Sequence, residues 1–238
     1  MRMRKKVNLG PRMERCAQWL VEQPEDYRGR WRTLLPGATA LHLELGCGKG
    51  RFTCEMAEQN PTVLFVAIER VADAMIIALE RAQSMALQNV FFVDGDAVLL
   101  PRYFEEDEVD CIYLNFSDPW PTSHFAKRRL TFPTFLARYS KVMKLGGTIE
   151  MKTDNHDLFS WSLFQFPKCG YTLSEVTRNL HEHGVVGVMT DYEEKFHAQG
   201  LPINRCVATK TAALPPEILL EKPRKETRIE SGAQPPEG

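Results

Sequence analysis

Between residue 40 and about residue 152, short apolar runs rich in β-branched and aromatic side chains alternate with longer stretches whose apolar positions recur every three or four residues. The runs over 41–45, 63–68, 90–93, 109–116 and 148–151 predict five strands, and the stretches over 52–59, 71–87 and 132–144 predict helices between them. Gly146 and Gly147 stand where a left-handed cap would close the third helix. Strands that alternate with helices imply a parallel sheet covered on both faces. The expected architecture is α/β: a doubly wound, mostly parallel, Rossmann-like sheet in a single domain. Past residue 155 the pattern weakens to a helix over 158–166 and two alternating runs, 171–177 and 203–209, that read as further strands of the same sheet. There is no internal repeat.

At 238 residues the chain can bury one substantial core, hiding about three-quarters of the surface of its unfolded form. Its 43% hydrophobic and 26% charged residues are ordinary for a globular protein and exclude a fibrous or wholly disordered one. The two ends depart from this average. Residues 1–33 are basic, with Trp19 and Trp31 interleaved, and read as an arm that orders on a partner. Residues 213–238 carry Pro215, Pro216, Pro223, Pro235 and Pro236 among charges and read as a disordered tail, leaving 34–212 as the folded domain. No apolar run follows the basic start, so neither a signal peptide nor a membrane span is expected. Cys16, Cys47, Cys54, Cys111, Cys169 and Cys206 form no C-x-x-C pair and read as reduced thiols of a cytoplasmic protein. A net charge of −1 argues against indiscriminate nucleic-acid binding, which needs a local excess of Lys and Arg.

Candidate chemistry begins at Glu44-Leu45-Gly46-Cys47-Gly48-Lys49-Gly50, directly after the first strand. Glycines there let the chain turn sharply and let a ligand approach the backbone. A dinucleotide fingerprint would place a glycine at position 51, where this chain has Arg51, so pyrophosphate binding and a nicotinamide dehydrogenase are disfavoured. Glu44 points the same way, because a carboxylate repels phosphate and attracts a cation such as a sulfonium. Glu69 ends the second strand, 19 residues past Gly50, where an acid can accept from both hydroxyls of a ribose. After the third strand, Asp96 or the backbone at Ala97 is placed to read an adenine edge. Together these features resemble the class I S-adenosylmethionine-dependent methyltransferases, which implies S-adenosylmethionine as cofactor.

The fourth strand leads into Asp118-Pro119-Trp120-Pro121, followed by Lys127-Arg128-Arg129. An acid between prolines and a tryptophan makes a stiff aromatic rim suited to a flat acceptor, and the basic triplet is placed to take phosphates. D-P-W-P followed by K-R-R, Asp154 after the fifth strand, and Thr190-Asp191-Tyr192-Glu193 make the chain similar to the bacterial tRNA (guanine-N7)-methyltransferases over about residues 40–210. That resemblance implies methyl transfer to N7 of a guanosine in tRNA, at position 46 of the variable loop. It implies Asp118 as the catalytic carboxylate beside both cofactor and acceptor, and Thr122, Asp154 and residues 190–193 as contacts to the guanosine. The family usually has a Lys directly after the second proline and a basic, His-containing stretch next; here Thr122, Ser123, His124 and Phe125 stand there.

Two rival readings remain at this point: a methyltransferase for another RNA, protein or small-molecule acceptor, and a non-catalytic RNA-binding protein on the same fold. Glu44, Glu69, Asp96 and Asp118, four carboxylates at strand ends, argue against the second. His181 and His183 lack a third ligand at metal-binding spacing and read as a polar loop, so no metal is expected. Monomer and homodimer are equally compatible with the sequence.

Overall fold

A computed structural model, which describes residues 6–215 and Ile218, contains seven strands in one sheet. In chain order the elements are α1 (Leu9–Arg15), β1 (Ala40–Leu45), α2 (Arg51–Gln59), β2 (Val63–Glu69), α3 (Ala72–Ser84), β3 (Val90–Asp94), α4 (Leu100–Tyr103), β4 (Val109–Asn115), α5 (Pro133–Val142), β5 (Met143–Thr153), α6 (His156–Lys168), β6 (Tyr171–Thr177), α7 (Asp191–Ala198) and β7 (Asn204–Lys210). The strand order is β3-β2-β1-β4-β5-β7-β6. The first five strands run parallel, and β7 inserts antiparallel between β5 and β6. The doubly wound reading thus holds, and both late runs are strands of the same sheet.

The strands are apolar on both faces because both faces are covered. On β2, Leu64, Val66 and Ile68 join one core with Leu136 and Tyr139 of α5 and Phe159 of α6, while Phe65 and Ala67 join the other with Met75, Ala78 and Leu79 of α3 and Phe52 of α2. Period-two alternation along one strand therefore feeds two cores. All six cysteines are buried and free, and burial pushes the Cys54 and Cys111 thiols up to about 12.

Three expectations need correction or restriction. Trp19 and Trp31 do not await a partner. Trp31 is fully buried, stacks on Phe104 at 5.1 Å and donates its indole N–H to the Tyr103 carbonyl at 2.8 Å. Trp19 donates to the Leu87 carbonyl at 2.8 Å, and the Val21 N–H extends the sheet edge by donating to the Phe92 carbonyl at 2.8 Å. The basic residues of this stretch meet the acids after α4, as Arg28 pairs with Glu105 and Arg32 with Asp110, both at 2.6 Å. The helix predicted over 132–144 stops at Val142, because Met143 already pairs with Val109. The register then jumps so that Cys111 faces Thr148, and Gly146, at φ 81°, serves the irregularity in β5 and caps no helix. The tail over 213–238 lies almost wholly outside the described residues.

Candidate active site

In an open α/β sheet a ligand finds its crevice at the carboxyl ends of the strands, where the strand order reverses. Here that point lies between β1 and β4, and the glycine loop and the Asp118 loop leave from those two strands. Gly46, Gly48 and Gly50 have φ of 78°, 58° and 71°, the left-handed region that side chains disfavour. A Cβ built at Gly46 or Gly48 would meet nothing within 4 Å, so the backbone there borders open space. A Cβ at Gly50 would lie 2.5 Å from the Ala78 Cβ and 2.9 Å from its Cα. The first two glycines leave room for a ligand, and the third lets α2 pack on α3.

Acids form the floor. The two oxygens of Glu69 accept from the Gly48 N–H and from the N–H groups of Arg70 and Val71, each at 2.8 Å, which ties the glycine loop to β2. Glu44 is only 3% exposed, and accepts from the Thr53 hydroxyl and, at 2.9 Å, from the Asn115 side-chain amide. Burial raises the pKa of its carboxyl despite those two bonds. Asp96 accepts from the Val98 N–H at 2.9 Å and pairs at 3.1 Å with Arg70, which is well exposed; Ala97 beside it is buried. The cofactor positions expected from sequence are thus brought to one edge of the sheet, with Glu44 beneath the loop and not at its mouth.

The acceptor side starts with backbone strain. Phe116 and Trp120 have φ of 52° and 41°, a conformation that bulky residues rarely adopt and that costs about 1–3 kcal/mol at each. Strain persists only where the surroundings hold it. The Phe116 N–H donates to the Lys152 carbonyl at 2.8 Å, and Arg129 donates to the Pro119 and Trp120 carbonyls at 3.0 Å while its guanidinium covers the Trp161 ring at 4.6 Å. Arg129 therefore braces the loop through Nε and Nη2, a role that the sequence reading did not foresee. Arg128 lies 4.8 Å from both the Trp120 and Phe125 rings, and Lys127 is exposed. Asp118, Thr122 and Asp154 are also exposed, Asp118 without an ion pair among the described residues. His124 is an exposed residue set edge-on against Phe125 at 5.0 Å.

The segment 190–193 opens α7. Thr190 caps the helix: its hydroxyl accepts from the Glu193 N–H at 2.9 Å, and the Glu193 carboxylate accepts from the Thr190 N–H at 3.2 Å. Capping boxes of this kind fix a helix start. Glu193 is fully buried and bonded to Lys152 and His181, so it presents nothing to an acceptor, contrary to the sequence reading. Tyr192 is 61% exposed, and Phe116 lies parallel to both Tyr192 and Phe196 at 6.5 and 6.3 Å. Arg51 of α2 pairs with Glu194, and Asp191 lies 3.9 Å from Arg51 and 3.8 Å from Arg81. Sequence reasoning missed Thr53, Asn115 and Lys152, and read His181, which is buried, as part of a polar loop. Nothing local flags Lys152: Glu150 and Lys152 alternate with Ile149 and Met151, so it reads as part of a polar face. Among the described residues no cluster of His, Cys, Asp or Glu could hold a metal, and no helix is long and apolar enough to cross a membrane.

The sequence model of a family described as putative methyltransferase matches residues 38–206. The tRNA (guanine-N(7)-)-methyltransferase of Bacillus subtilis (strain 168) is 42% identical over 206 residues, covering 86% of this chain and 97% of that protein. The protein of the same name from Geobacillus kaustophilus (strain HTA426) is 41% identical over 211 residues, covering 88% and 97%. In fold, the 16S rRNA methyltransferase KamB superposes with a TM-score of 0.60 at 19% identity, over 79% of this chain and 94% of KamB. That similarity concerns architecture alone, and it is to a methyltransferase sheet. With two-fifths of its residues shared across nearly the whole length of such relatives, the chain belongs to the tRNA (guanine-N(7)-)-methyltransferase family.

Proposed function

We propose that this protein transfers a methyl group from S-adenosylmethionine to N7 of a guanosine in tRNA, at position 46 of the variable loop. The observation that carries the reading is the strained loop of residues 116–120, which carries Asp118 and leaves β4 at the sheet's switch point, where the open glycine loop leaves the neighbouring β1. The relatives' names supply the acceptor. The residues present fit the cofactor: space over Gly46 and Gly48 admits a ligand against the backbone, and an acidic floor suits a cation. Glu69 would accept from the ribose hydroxyls, Asp96 and the Ala97 backbone would hold the adenine edge, and Glu44 would place negative charge beneath the loop. Held there, S-adenosylmethionine would supply a methyl group on positively charged sulfur, which would keep the C–S electron pair as the methyl passed to N7.

The N7 atom offers an in-plane lone pair and carries no proton, so no side chain has to act as a base. What the protein must supply above all is position, since holding the reacting atoms in line at near-contact distance removes the entropy of encounter. The purine becomes cationic as it is methylated, and a fixed carboxylate close by stabilises that charge. Asp118 takes this role. Asp154, Thr190, Asp191 and Tyr192 hold the guanosine, and Lys127 and Arg128 meet the backbone phosphates, with Thr122 at the edge of the same surface.

The test is methyl transfer from labelled S-adenosylmethionine to unmodified tRNA transcripts, with and without the variable-loop guanosine. Label should appear only with that guanosine, should direct chain cleavage there after reduction and aniline, and should fall by about a hundredfold or more with Asp118→Asn, without a new pH dependence in the neutral range. Labelling of a transcript that lacks the guanosine would refute the position. A loss in Asp118→Asn that raising the pH repairs would refute the electrostatic role.

A further inference from the structure

Lys152 occupies a place where a lysine is costly. Its side chain is 7% exposed on β5, beside the core. The ammonium donates to the Val188 carbonyl at 2.8 Å and to both oxygens of Glu193 at 2.9 and 3.1 Å, and lies 5.2 Å from the centre of the Phe52 ring. These partners belong to the loop before α7, to α7 itself, and to the first turn of α2 after Gly50. The backbone carbonyl of the same residue receives the Phe116 N–H that starts the Asp118 loop. One residue thus touches the cofactor loop's helix, the catalytic loop and the acceptor helix.

His181 completes the knot. Its Nδ1 accepts from the Val186 N–H at 3.2 Å, which leaves the proton on Nε2, and Nε2 donates to Glu193 at 2.9 Å. Glu193, with no exposure, therefore accepts from Lys152, from His181 and from the Thr190 N–H. A buried ion pair contributes little net stability compared with an apolar pair of the same size, whereas it demands one geometry of its partners. An apolar contact would keep α7 on the sheet without fixing its height or rotation.

We propose that Lys152 and His181 are positioning residues for the acceptor: through Glu193 they fix where residues 190–192 stand relative to the glycine loop and Asp118. The proposal rests on the acceptor reading given above. It also reassigns the last residue of the T-x-Y-E segment from contact to fastening.

The experiment compares Lys152→Met/Glu193→Gln, His181→Leu and His181→Gln in the full chain. The readouts are KM for unmodified tRNA, kcat, the Kd for S-adenosylmethionine, and amide hydrogen exchange across 181–193. The double variant removes both charges together and so avoids stranding one; Gln at 193 keeps the acceptor for the helix cap. In the double variant and in His181→Leu, KM for tRNA should rise about tenfold or more, equivalent to ~1.4 kcal/mol of lost acceptor binding, with little change in cofactor affinity. Exchange at Val186 and Thr190 should quicken, and His181→Gln, whose amide nitrogen reaches where Nε2 stood, should recover most of the loss. Folded variants with lower melting temperatures and unchanged KM would overturn the proposal, since that is all a structural role would give. If the double variant does not fold, the two His181 variants decide. If the wild-type chain leaves tRNA unmethylated, the acceptor reading fails by itself, and unchanged exchange at Val186 and Thr190 would then overturn the fastening.

Discussion

Replacing Gly50 by alanine separates the two jobs of the glycine loop. The new methyl group would sit 2.5 Å from the Ala78 Cβ and 2.9 Å from its Cα, in the middle of α3, where the neighbouring atoms include backbone and cannot swing aside. A non-glycine residue at φ 71° adds about 1–2 kcal/mol for the left-handed backbone, and overpacking adds about 1–3 kcal/mol. The expected loss is about 2–5 kcal/mol, which for a domain of this size lowers the melting temperature by roughly 4–20 °C. Gly48→Ala has the backbone cost without the clash, because nothing lies within 4 Å of its Cβ, so about 1–2 kcal/mol is expected. Its methyl group enters the space assigned to the cofactor, and calorimetric titration should show S-adenosylmethionine binding weakened by about tenfold or more, equivalent to ~1.4 kcal/mol. Thermal and urea melts of both variants check the first part. If Gly50→Ala melts no lower than Gly48→Ala, the close approach of α2 to α3 is not what the third glycine secures.

Other outcomes follow from individual contacts. Burial raises the Glu44 pKa above its unfolded value, so its protonated form favours the folded state: stability is fully present below the unfolded pKa and declines as pH rises through the folded one. Urea melts from acid to neutral pH should therefore show a smaller decline for Glu44→Gln than for wild type; an unchanged slope would refute the effect of burial. Lys127→Ala should weaken tRNA binding and reduce the salt slope, d log K/d log[salt], by about 0.7–0.9, whereas Arg129→Ala, which removes the brace on the Pro119 and Trp120 carbonyls, should lower kcat with the slope unchanged. Filter binding at several salt concentrations distinguishes them. Trp31→Ala should cost about 3–5 kcal/mol in denaturant melts, because the ring is fully buried and its N–H is bonded; a loss below about 1 kcal/mol would mean that the N-terminal segment is dispensable to the fold.

The architecture was legible because each parallel strand is buried on both sides, and a short run such as Val63–Glu69, with no polar residue before its last position, suits a central strand of a covered sheet. The glycine loop and its acids were legible for a different reason: their chemistry is local, with Glu44 and Glu69 placed by strand ends next to the glycines in sequence or one crossover away. What failed was what depends on partners far along the chain. Arg129 looks like any basic residue until the Trp161 ring, 32 residues on, is placed against it and the strained loop turns the Pro119 and Trp120 carbonyls back onto it. Glu193 looks like a ligand contact until Lys152, 41 residues earlier, is found on it. Trp19 and Trp31 interleaved with basic residues suggested an arm, because the groups that fasten this stretch lie far along the chain: the Leu87 carbonyl 68 residues from Trp19, Glu105 77 from Arg28 and Asp110 78 from Arg32. The strand start at Met143 was hidden because the irregularity before Thr148 breaks the alternation that would have marked it.

The position of β7 has a consequence for synthesis on the ribosome. It is the last described strand in the chain, yet it fills the gap between β5 and β6. Until Lys210 has emerged, β5 offers an unpaired edge over Thr148–Thr153, and β6 has no neighbour at all. Growth from Thr153 to Lys210, at about 5–20 residues per second, leaves that edge open for seconds. Unpaired edges invite pairing with other chains. The nascent protein therefore passes through an interval of exposure that ends only when β7 arrives, and a translational pause in this stretch would prolong the period in which neighbouring chains on a polysome can aggregate.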